Sequence, residues 1–454
     1  MGFFSIFFKK FKCSGPRNTR IPAHKNHIPA PSNAKKYFRA IVLLLDDEQV
    51  SIDIPSKALG VYLQNKLNSW LEIDPAEASY FGLAYLDHQG IKNWLDPSKK
   101  VKKQIGKTGT IILNFRVRFY PSEPSNLKCD YTRYQVFLQV KQDLQSSLRL
   151  GNSTLTVCAE LAALSLQSEF GDFINNEETC KNIQELRFIP EERYDNDPEV
   201  QDMNFDYAIF EYYRDNCKGR TPERAEKEYL SKAKWLDMYG VDLYEVTSNK
   251  DKKNYHFGIT PEGICVYDSN MEKIGRFVWQ NIKRLDFNRK KFYIDCAETL
   301  NSNDPLNPKE IIHKFIFFRE SPRHTKTMWK SAISHHQFYR LDHAAKKAKE
   351  EKLIRTASGF IYHGKTQAQI HNIGGGGCSF GTVARMSSKN STFTRRPSKR
   401  FSAKNRTFNV GKGTTRNEYL ESINLIQKPL NVSYFWDFYY FADHLVDYSN
   451  RIYI

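Results

Sequence analysis

The segment Trp279-Gln-Asn-Ile-Lys-Arg-Leu-Asp-Phe287 indicates the fold of the surrounding hundred residues. A Gln-Asn turn separates a strand that ends at residue 279 from a strand predicted over 282–287. Together with the regions on both sides of this segment, the predicted strands are 241–247, 255–260, 264–267, 273–279, 282–287, 291–296 and 312–318. An amphipathic helix follows at 323–340, with Trp329, Ile333 and Phe338 predicted to face the sheet. Short strands followed by one helix predict a β-sandwich capped by a C-terminal helix.

The two blocks before this sandwich have different hydrophobic periodicities. Residues 37–120 begin with two strand-like runs and continue with a helix whose apolar face includes Leu63, Leu67 and Trp70. With the strands that follow, this order predicts a small α+β lobe. Residues 128–237 repeat apolar residues at helical spacing and contain few strand signals, which predicts a helical bundle. Together with the sandwich at 238–343, the chain is predicted to contain three lobes.

The net charge of +17 lies mainly outside these lobes. Residues 1–36 contain eight Lys/Arg and no Asp/Glu, and residues 344–416 contain sixteen Lys/Arg and two Glu. The lobes are close to neutral, whereas nucleic-acid-binding domains more often carry a basic face. Basic flanks that are predicted to be disordered are more typical of segments that bind an anionic membrane leaflet or are regulated by kinases. Residues 417–454 are a divergent tail that contains the aromatic run Tyr434-Phe-Trp-Asp-Phe-Tyr-Tyr-Phe441.

The composition argues against several other classes of protein. The eight cysteines are widely spaced and form no C-x-x-C pair, which favours reduced thiols over a disulfide framework or a zinc site. No apolar run approaches the roughly 20 residues that span a bilayer. The catalytic signatures of tyrosine phosphatases and kinases are absent. The sequence therefore predicts a non-enzymatic protein without a cofactor or a metal site.

Motifs in all three blocks resemble the signatures of FERM domains. In the first block the resemblance lies in Trp94-Leu-Asp-Pro-Ser-Lys-Lys-Val-Lys-Lys-Gln-Ile. In the second it lies in Tyr134-Gln-Val-Phe-Leu-Gln-Val-Lys-Gln-Asp-Leu. In the third it lies in Met238-Tyr-Gly-Val-Asp-Leu-Tyr and in Met328-Trp-Lys-Ser-Ala-Ile-Ser-His-His-Gln-Phe-Tyr-Arg-Leu. The resemblance covers residues 37–342 in the order typical of the family.

The resemblance implies an α+β multidomain fold, the three-lobed FERM cloverleaf with disordered flanks. Its lobes would be a ubiquitin-like β-grasp, an acyl-CoA-binding-protein-like helical bundle and a PH/PTB-like sandwich with a C-terminal helix. Two further runs, Ser358-Gly-Phe-Ile-Tyr-His-Gly-Lys-Thr-Gln and Thr394-Arg-Arg-Pro-Ser-Lys-Arg-Phe-Ser, resemble the FERM-adjacent region of band 4.1-like proteins. They are most similar to the 4B/5 and Yurt branch.

The resemblance to this branch implies a cytoskeletal adaptor of epithelial polarity. Such a protein binds the juxtamembrane cytoplasmic tails of Crumbs-type membrane proteins and links them to the cortical actin cytoskeleton. The implied location is the cytoplasmic face of the plasma membrane at cell junctions. Cytoskeletal proteins and anionic phosphoinositides are the other implied partners, and no nucleic acid is expected.

The resemblance also implies a peptide-binding groove between the strand at 282–287 and the final helix. An exposed strand edge offers unpaired backbone groups to an extended peptide, and a neighbouring helix supplies apolar pockets. The predicted groove residues are Ile282, Lys283, Arg284, Asp286, Trp329 and Phe338. For Trp329 and Phe338, the alternative that both belong to the core stays open.

Two membrane sites are predicted as well. The resemblance implies a phosphoinositide site in the cleft between the first and third lobes, for which the candidates are Lys57, Lys66, Lys273 and Lys283. In the leader, Lys9, Lys10 and Lys12 stand beside four phenylalanines, a pattern in which aromatic rings insert at the interface while lysines meet anionic lipid. Isolated surface lysines are more often simply solvated, so that alternative also stays open.

The region 344–416 contains two candidate phosphorylation sites. Ser398 and Ser402 each follow a pair of basic residues, the context that basophilic kinases recognise, and a phosphate there would reduce the attraction of this flank to an anionic surface. Two other function classes stay open on the strength of the basic flanks. One is a scaffold that oligomerises through 344–416, and the other is a nucleic-acid-binding protein.

Overall fold

The structure is a computed structural model that describes residues 27–33, 36–46, 48–87, 89–105, 111–146, 154–174, 186–190, 193–194, 200, 205–300, 309–341, 360 and 362–373. Within these residues the chain forms a mixed-sheet lobe, a helical lobe and a second sheet lobe closed by a long helix. This arrangement confirms the predicted α+β class and its order of lobes.

The first lobe is a six-stranded mixed sheet with one main helix packed on it. The strand order is β1-β3-β2-β6-β4-β5. The elements are β1 (His27–Ile28), β2 (Tyr37–Leu43), β3 (Gln49–Pro55), α1 (Gly60–Trp70), β4 (Phe81–Leu86), β5 (Lys92–Trp94), α2 (Val101–Ile105) and β6 (Ile111–Val117). Leu63 and Leu67 are buried under α1 as the periodicity predicts, whereas Trp70 in its last turn is 40 % exposed.

Part of the predicted disordered leader 1–36 belongs to this sheet. Strand β1 runs parallel to β3, with His27 opposite Ser51. The imidazole of His27 lies 3.0 Å from the Ser51 hydroxyl and 3.1 Å from the Asp53 carboxylate, and Ile28 is buried. A strand of two residues is too short to produce a period-two signal. The prediction of disorder is therefore wrong for this part of the leader.

The second lobe is a helical bundle. Its helices are α3 (Asp130–Ser146), α4 (Leu155–Phe170), α5 (Phe205–Asn216) and α6 (Pro222–Ala233). Helix α4 is apolar on most of its surface because α5 and α6 both pack against it. A buried ion pair between Lys141 and Glu169 joins α3 to α4. Helix α6 starts where Thr221 caps the backbone N–H of Arg224 and Pro222 occupies the first turn.

The third lobe is a seven-stranded antiparallel sheet followed by the longest described helix. The order β10-β9-β8-β7-β13-β12-β11 leaves β10 and β11 as the two edge strands. The elements are β7 (Asp242–Ser248), β8 (Asn254–Ile259), β9 (Gly263–Tyr267), β10 (Lys273–Val278), β11 (Ile282–Asn288), β12 (Lys291–Leu300), β13 (Lys309–Phe318) and α7 (Pro322–Arg340). Ser321 caps α7 by accepting the N–H of His324, which fixes its start.

The segment after α7 also contributes to the fold, although the region 344–416 is predicted to be a disordered flank. Residues 362–373 return to the lobes and end in the short helix α8 (Gln367–Ile373). The backbone N–H of Lys365 donates to the Ser79 hydroxyl at 3.0 Å, and the backbone N–H of Tyr362 donates to the Gln337 side chain at 2.7 Å. The described part of the segment after α7 is therefore a structural element that bridges the first and third lobes.

Candidate functional site

The groove candidate lies between β11 and α7, here called the β11–α7 groove. Strand β11 pairs with β12 along one side, and it ends the sheet. Trp329 on α7 donates its indole N–H to the carbonyl of Leu285 at 3.2 Å, and its ring centroid lies 5.1 Å from that of Phe287. This contact fixes the spacing between the edge strand and the helix. Among the described residues, the structure thus brings together a strand edge with no further strand beside it and a helix wall, which are the two elements that strand addition requires.

The polar residues of β11 differ in how far they are already engaged. The Arg284 guanidinium lies 2.7 Å from the Asp286 carboxylate and 3.7 Å from that of Asp295. The hydrogen bond to Asp286 is the main cause that raises the pKa of Arg284. Lys283 is exposed, whereas Ile282 is buried in the core of the lobe. Lys283 is therefore the charged side chain of this edge that a bound peptide would meet first.

The two aromatic residues predicted for the groove are fully buried, each with 0 % exposure. Trp329 forms the wall between α7 and β11 but presents no free surface. Phe338 faces the opposite side of α7, where its ring stacks on Phe119 of the first lobe at a centroid distance of 4.2 Å. Because a helix turns about 100° per residue, positions nine apart lie about 180° apart. Phe338 is therefore part of the interlobe core, and its placement in the groove is wrong.

The segment after α7 contacts Trp329. The ring centroid of Phe360 lies 6.1 Å from that of Trp329, and the Lys330 ammonium lies 5.6 Å from the centre of the Phe360 ring. Two residues later, Tyr362 is buried and its ring lies 5.3 Å from Phe119. The part of the chain that resembles a FERM-adjacent region therefore packs against the helix wall of the groove.

A cavity of about 270 Å³ lies where the three lobes meet. Its cationic lining residues are Lys92, Arg116, Arg118 and Arg319, and its acidic ones are Asp143 and Asp242. The lysines predicted for an interlobe lipid site, Lys57, Lys66, Lys273 and Lys283, do not line this cavity. All four are exposed: Lys57 lies in the turn before α1, Lys66 lies on α1, and Lys273 and Lys283 lie on the two edge strands of the third lobe. The predicted set is therefore not gathered at the interlobe cavity.

Arg118 is an interlobe residue that was not predicted from the sequence. Its guanidinium lies over the rings of Trp94, Phe119 and Tyr362 at 5.0–5.6 Å, and it donates to the Ser334 hydroxyl of α7 at 2.8 Å. Burial lowers the pKa of Arg118, which nevertheless stays charged at neutral pH. Its position inside the Phe115-Arg-Val-Arg-Phe run was the available signal, since an arginine between aromatic residues often stacks on them.

Two buried histidines on α7 predict acid sensitivity. Burial lowers the pKa of both His335 and His336 to about 4. Because the unfolded chain binds these protons near its ordinary pKa of about 6.5, stability should fall as the pH drops from there towards 4, by up to about 1.4 kcal/mol per unit for each ring. The variant H336F keeps an aromatic ring beside Trp279 and should flatten this acid limb in denaturant titrations. H313Q, at an exposed histidine, is the matched control, and equal acid limbs in the two variants would contradict the assignment.

The remaining predicted residues lie outside the described part of the chain. These are Lys9, Lys10 and Lys12 of the leader and the candidate phosphorylation sites Ser398 and Ser402. Within the described residues, no group of three or more His, Cys, Asp or Glu side chains is placed to hold a metal ion. Among the described helices, none has the length and apolarity to cross a bilayer.

Comparison with known proteins agrees with the three lobes. The FERM N-terminal domain matches residues 42–107, the FERM central domain 122–244, and the FERM C-terminal PH-like domain 249–347. A solved structure, the FERM and C-terminal domain complex of Drosophila Merlin, aligns with a TM-score of 0.56 over 66 % of this chain and 96 % of that chain, at 24 % identity. The chain is a FERM-domain protein.

Sequence relatives identify a family within the FERM-domain proteins. The chain is 33 % identical to human Band 4.1-like protein 3 over 336 residues, which are 74 % of this chain and 28 % of the relative. It is 31 % identical to human Band 4.1-like protein 4A over 348 residues, 73 % of this chain and 46 % of the relative. The chain belongs to the band 4.1-like family of FERM-domain proteins. It spans less than half the length of these two relatives, and its placement in the 4B/5 and Yurt branch stays a prediction.

Similarity also extends to a protein that is named as an enzyme. Mouse Tyrosine-protein phosphatase non-receptor type 4 is 30 % identical over 363 residues, which are 79 % of this chain and 36 % of that protein. The aligned share of this chain is similar to that found with the band 4.1-like proteins, where the matched residues include the FERM lobes. The similarity by itself therefore carries no catalytic activity over to this chain.

Proposed function

We propose that this protein is a non-enzymatic adaptor that binds the cytoplasmic tails of membrane proteins and links them to the cytoskeleton. The observation that carries the proposal is the β11–α7 groove, in which the edge strand Ile282–Asn288 lies beside α7. An extended tail can add a strand to this edge through its backbone, while side-chain contacts set its specificity. Membership of the band 4.1-like family supports the same class of function.

The proposed function also includes specific partners and a specific cellular location. We infer that the preferred tails are juxtamembrane segments of Crumbs-type proteins, and that the adaptor works at epithelial cell junctions on the cytoplasmic face of the plasma membrane. This follows from the motifs that resemble the 4B/5 and Yurt branch. The basic flanks 1–36 and 344–416 would supply attraction to anionic lipid, including phosphoinositides, and phosphorylation at Ser398 and Ser402 would weaken it.

Lys283 allows a direct test of the groove. The variant K283E reverses an exposed charge on the edge strand, and we expect it to weaken binding of a Crumbs-type juxtamembrane peptide by about threefold to tenfold, with a reduced dependence on salt. Fluorescence anisotropy with the full chain and a labelled peptide measures the change. Reversal of Arg284 is a poorer choice because it would place three carboxylates together with Asp286 and Asp295.

The matched control is K273E, which reverses an exposed lysine on β10, the other edge strand of the same sheet. It should leave the affinity for the peptide within about twofold of the unmodified chain. If K273E weakens the peptide as much as K283E does, the effect is one of overall charge and the β11–α7 groove is not the binding site.

A further inference from the structure

The third lobe has a second groove on the side away from β11, here called the β10–β13 groove. Its volume is about 470 Å³, and it lies between the edge strand β10 and residues 313–317 of β13. The ladder between β13 and β7 pairs Phe317 and Phe318, and the Ile316 carbonyl accepts the backbone N–H of Asn249 at 3.1 Å, but the ladder does not extend to the earlier residues of β13 in the described structure. In the part of the chain that the structure describes, the edge strand β10 and the second half of β13 therefore border one opening.

The surface of this groove is apolar. Ile274 on β10 lines the groove and is 36 % exposed, and Ile311 and Ile312, which precede the lining residues on β13, are 43 % and 52 % exposed. Phe277 and Phe315 form part of its lining. Exposed isoleucines are unusual near the edge of a sheet, because such edges favour self-association unless something covers them.

The lysines that line the groove are positively charged. Lys250 and Lys314 belong to its lining, which includes no carboxylate among the described residues, whereas the imidazole of His313 in the lining is paired with Glu298 at 2.8 Å. Lys273 stands next to Ile274 and is exposed. An occupant that matches this surface needs large apolar side chains, a tendency to form extended structure and a negative charge.

We propose that the aromatic segment 434–441 of the same chain binds in the β10–β13 groove. The segment reads Tyr-Phe-Trp-Asp-Phe-Tyr-Tyr-Phe, so seven of its eight residues are aromatic and its one charge is that of Asp437. Aromatic residues favour strands and contribute large buried areas. The surrounding residues 417–454 contain five acidic and two basic residues, which complements the lysines of the groove.

The length of the chain favours binding within one molecule. About 60 residues separate Ile373 from Tyr434, and a flexible chain of that length spans about 45 Å on average. This reach is sufficient to cross a domain of this size. A tethered segment has an effective concentration of up to millimolar, so it competes well against a second copy at ordinary protein concentrations. The proposal concerns a surface separate from the β11–α7 groove and does not depend on the proposed function.

Hydrogen exchange of the full chain tests the proposal. In F435A/W436A/F438A the fold stays intact because the substitutions lie outside the three lobes, and exchange at Lys273–Val278 and Lys309–Phe318 should accelerate at least about tenfold. Exchange at Ile282–Asn288 should not change. A synthetic peptide of residues 432–443, added to this variant, should restore the protection. Unchanged exchange at both β10 and β13 would overturn the proposal.

A substitution in the groove completes the test. I274D replaces an isoleucine of the lining, 36 % exposed, by a carboxylate that repels Asp437, and it should weaken binding of the peptide by more than about tenfold, since burial of one aliphatic side chain is worth at least that much. V61D, at an exposed valine of α1, is the matched control and should bind the peptide normally. Protection of β10 and β13 that increases with the concentration of the unmodified chain would show that the segment comes from a second copy, which overturns binding within one molecule.

Discussion

Replacement of Phe338 by alanine should lower the free energy of unfolding by about 3–5 kcal/mol, one of the two largest effects we expect in this protein. The side chain is fully buried, and it contacts Phe119 and Tyr80 of the first lobe together with Tyr362 from the segment after α7. Its removal leaves a cavity at the point where these parts of the chain meet, and the stacked ring of Phe119 loses its partner. Chemical denaturation of the full chain measures the loss.

The control for this prediction is F170A, which removes a phenylalanine that is 44 % exposed at the end of α4. Its cost should stay below about 1 kcal/mol. Under conditions where F338A is folded, peptide affinity should change by less than about twofold, because Phe338 faces the first lobe rather than β11. A large loss of affinity in F338A would mean that the interlobe core shapes the groove directly.

Replacement of Trp329 by alanine should have a similar cost, about 3–5 kcal/mol, and should also affect binding. The indole contacts Phe287 and donates its N–H to the carbonyl of Leu285, so it sets the spacing between α7 and β11. Without the ring, the edge strand and the helix lose this fixed spacing. We expect the affinity for a juxtamembrane peptide to fall by at least about tenfold in anisotropy titrations.

The variant W329F separates the two contributions of this side chain. It keeps a ring against Phe287 but leaves the carbonyl of Leu285 without the indole donor, so its cost should be about 1–3 kcal/mol. The affinity should lie between those of W329A and the unmodified chain. Equal affinities in W329A, F338A and the unmodified chain would contradict the role of the β11–α7 spacing in binding.

The third lobe could be predicted in detail because its signals are local. Turns separate its short strands, and Pro322 with the capping Ser321 marks the start of α7, so the predicted helix 323–340 differs from Pro322–Arg340 by one residue. The strand predicted over 282–287 likewise differs from Ile282–Asn288 by one residue. Periodicity and turn residues are sufficient to predict these boundaries because the boundaries depend on residues that are close together in the sequence.

Contacts between distant segments could not be predicted in this way. Helix α7 is buried on two sides, by the sheet of its own lobe and by the first lobe, and a single apolar stripe does not distinguish such a helix. The spacing of Trp329 and Phe338 does contain the answer, since nine residues place them on opposite sides. The pairing of Tyr362 with Phe119 joins residues far apart in the chain, and composition gives no signal for it.

The charged residues that line the interlobe cavity could not be predicted from the sequence either. Lys57 and Lys66 were predicted from their place on the first-lobe helix, whereas the cavity gathers cations from β5, β6 and the end of β13. Arg319 follows β13 directly, and burial lowers its pKa. Only the meeting of the three lobes brings these side chains together, and the order of strands in two sheets decides it.

The most direct test of the proposed adaptor function is hydrogen exchange of the full chain with and without a saturating Crumbs-type juxtamembrane peptide. The β11–α7 groove predicts slowed exchange at Ile282–Asn288 and along Pro322–Arg340, with no change at Lys273–Val278 on the other edge of the sheet. Binding that slows exchange elsewhere and leaves Ile282–Asn288 unaffected would contradict the account.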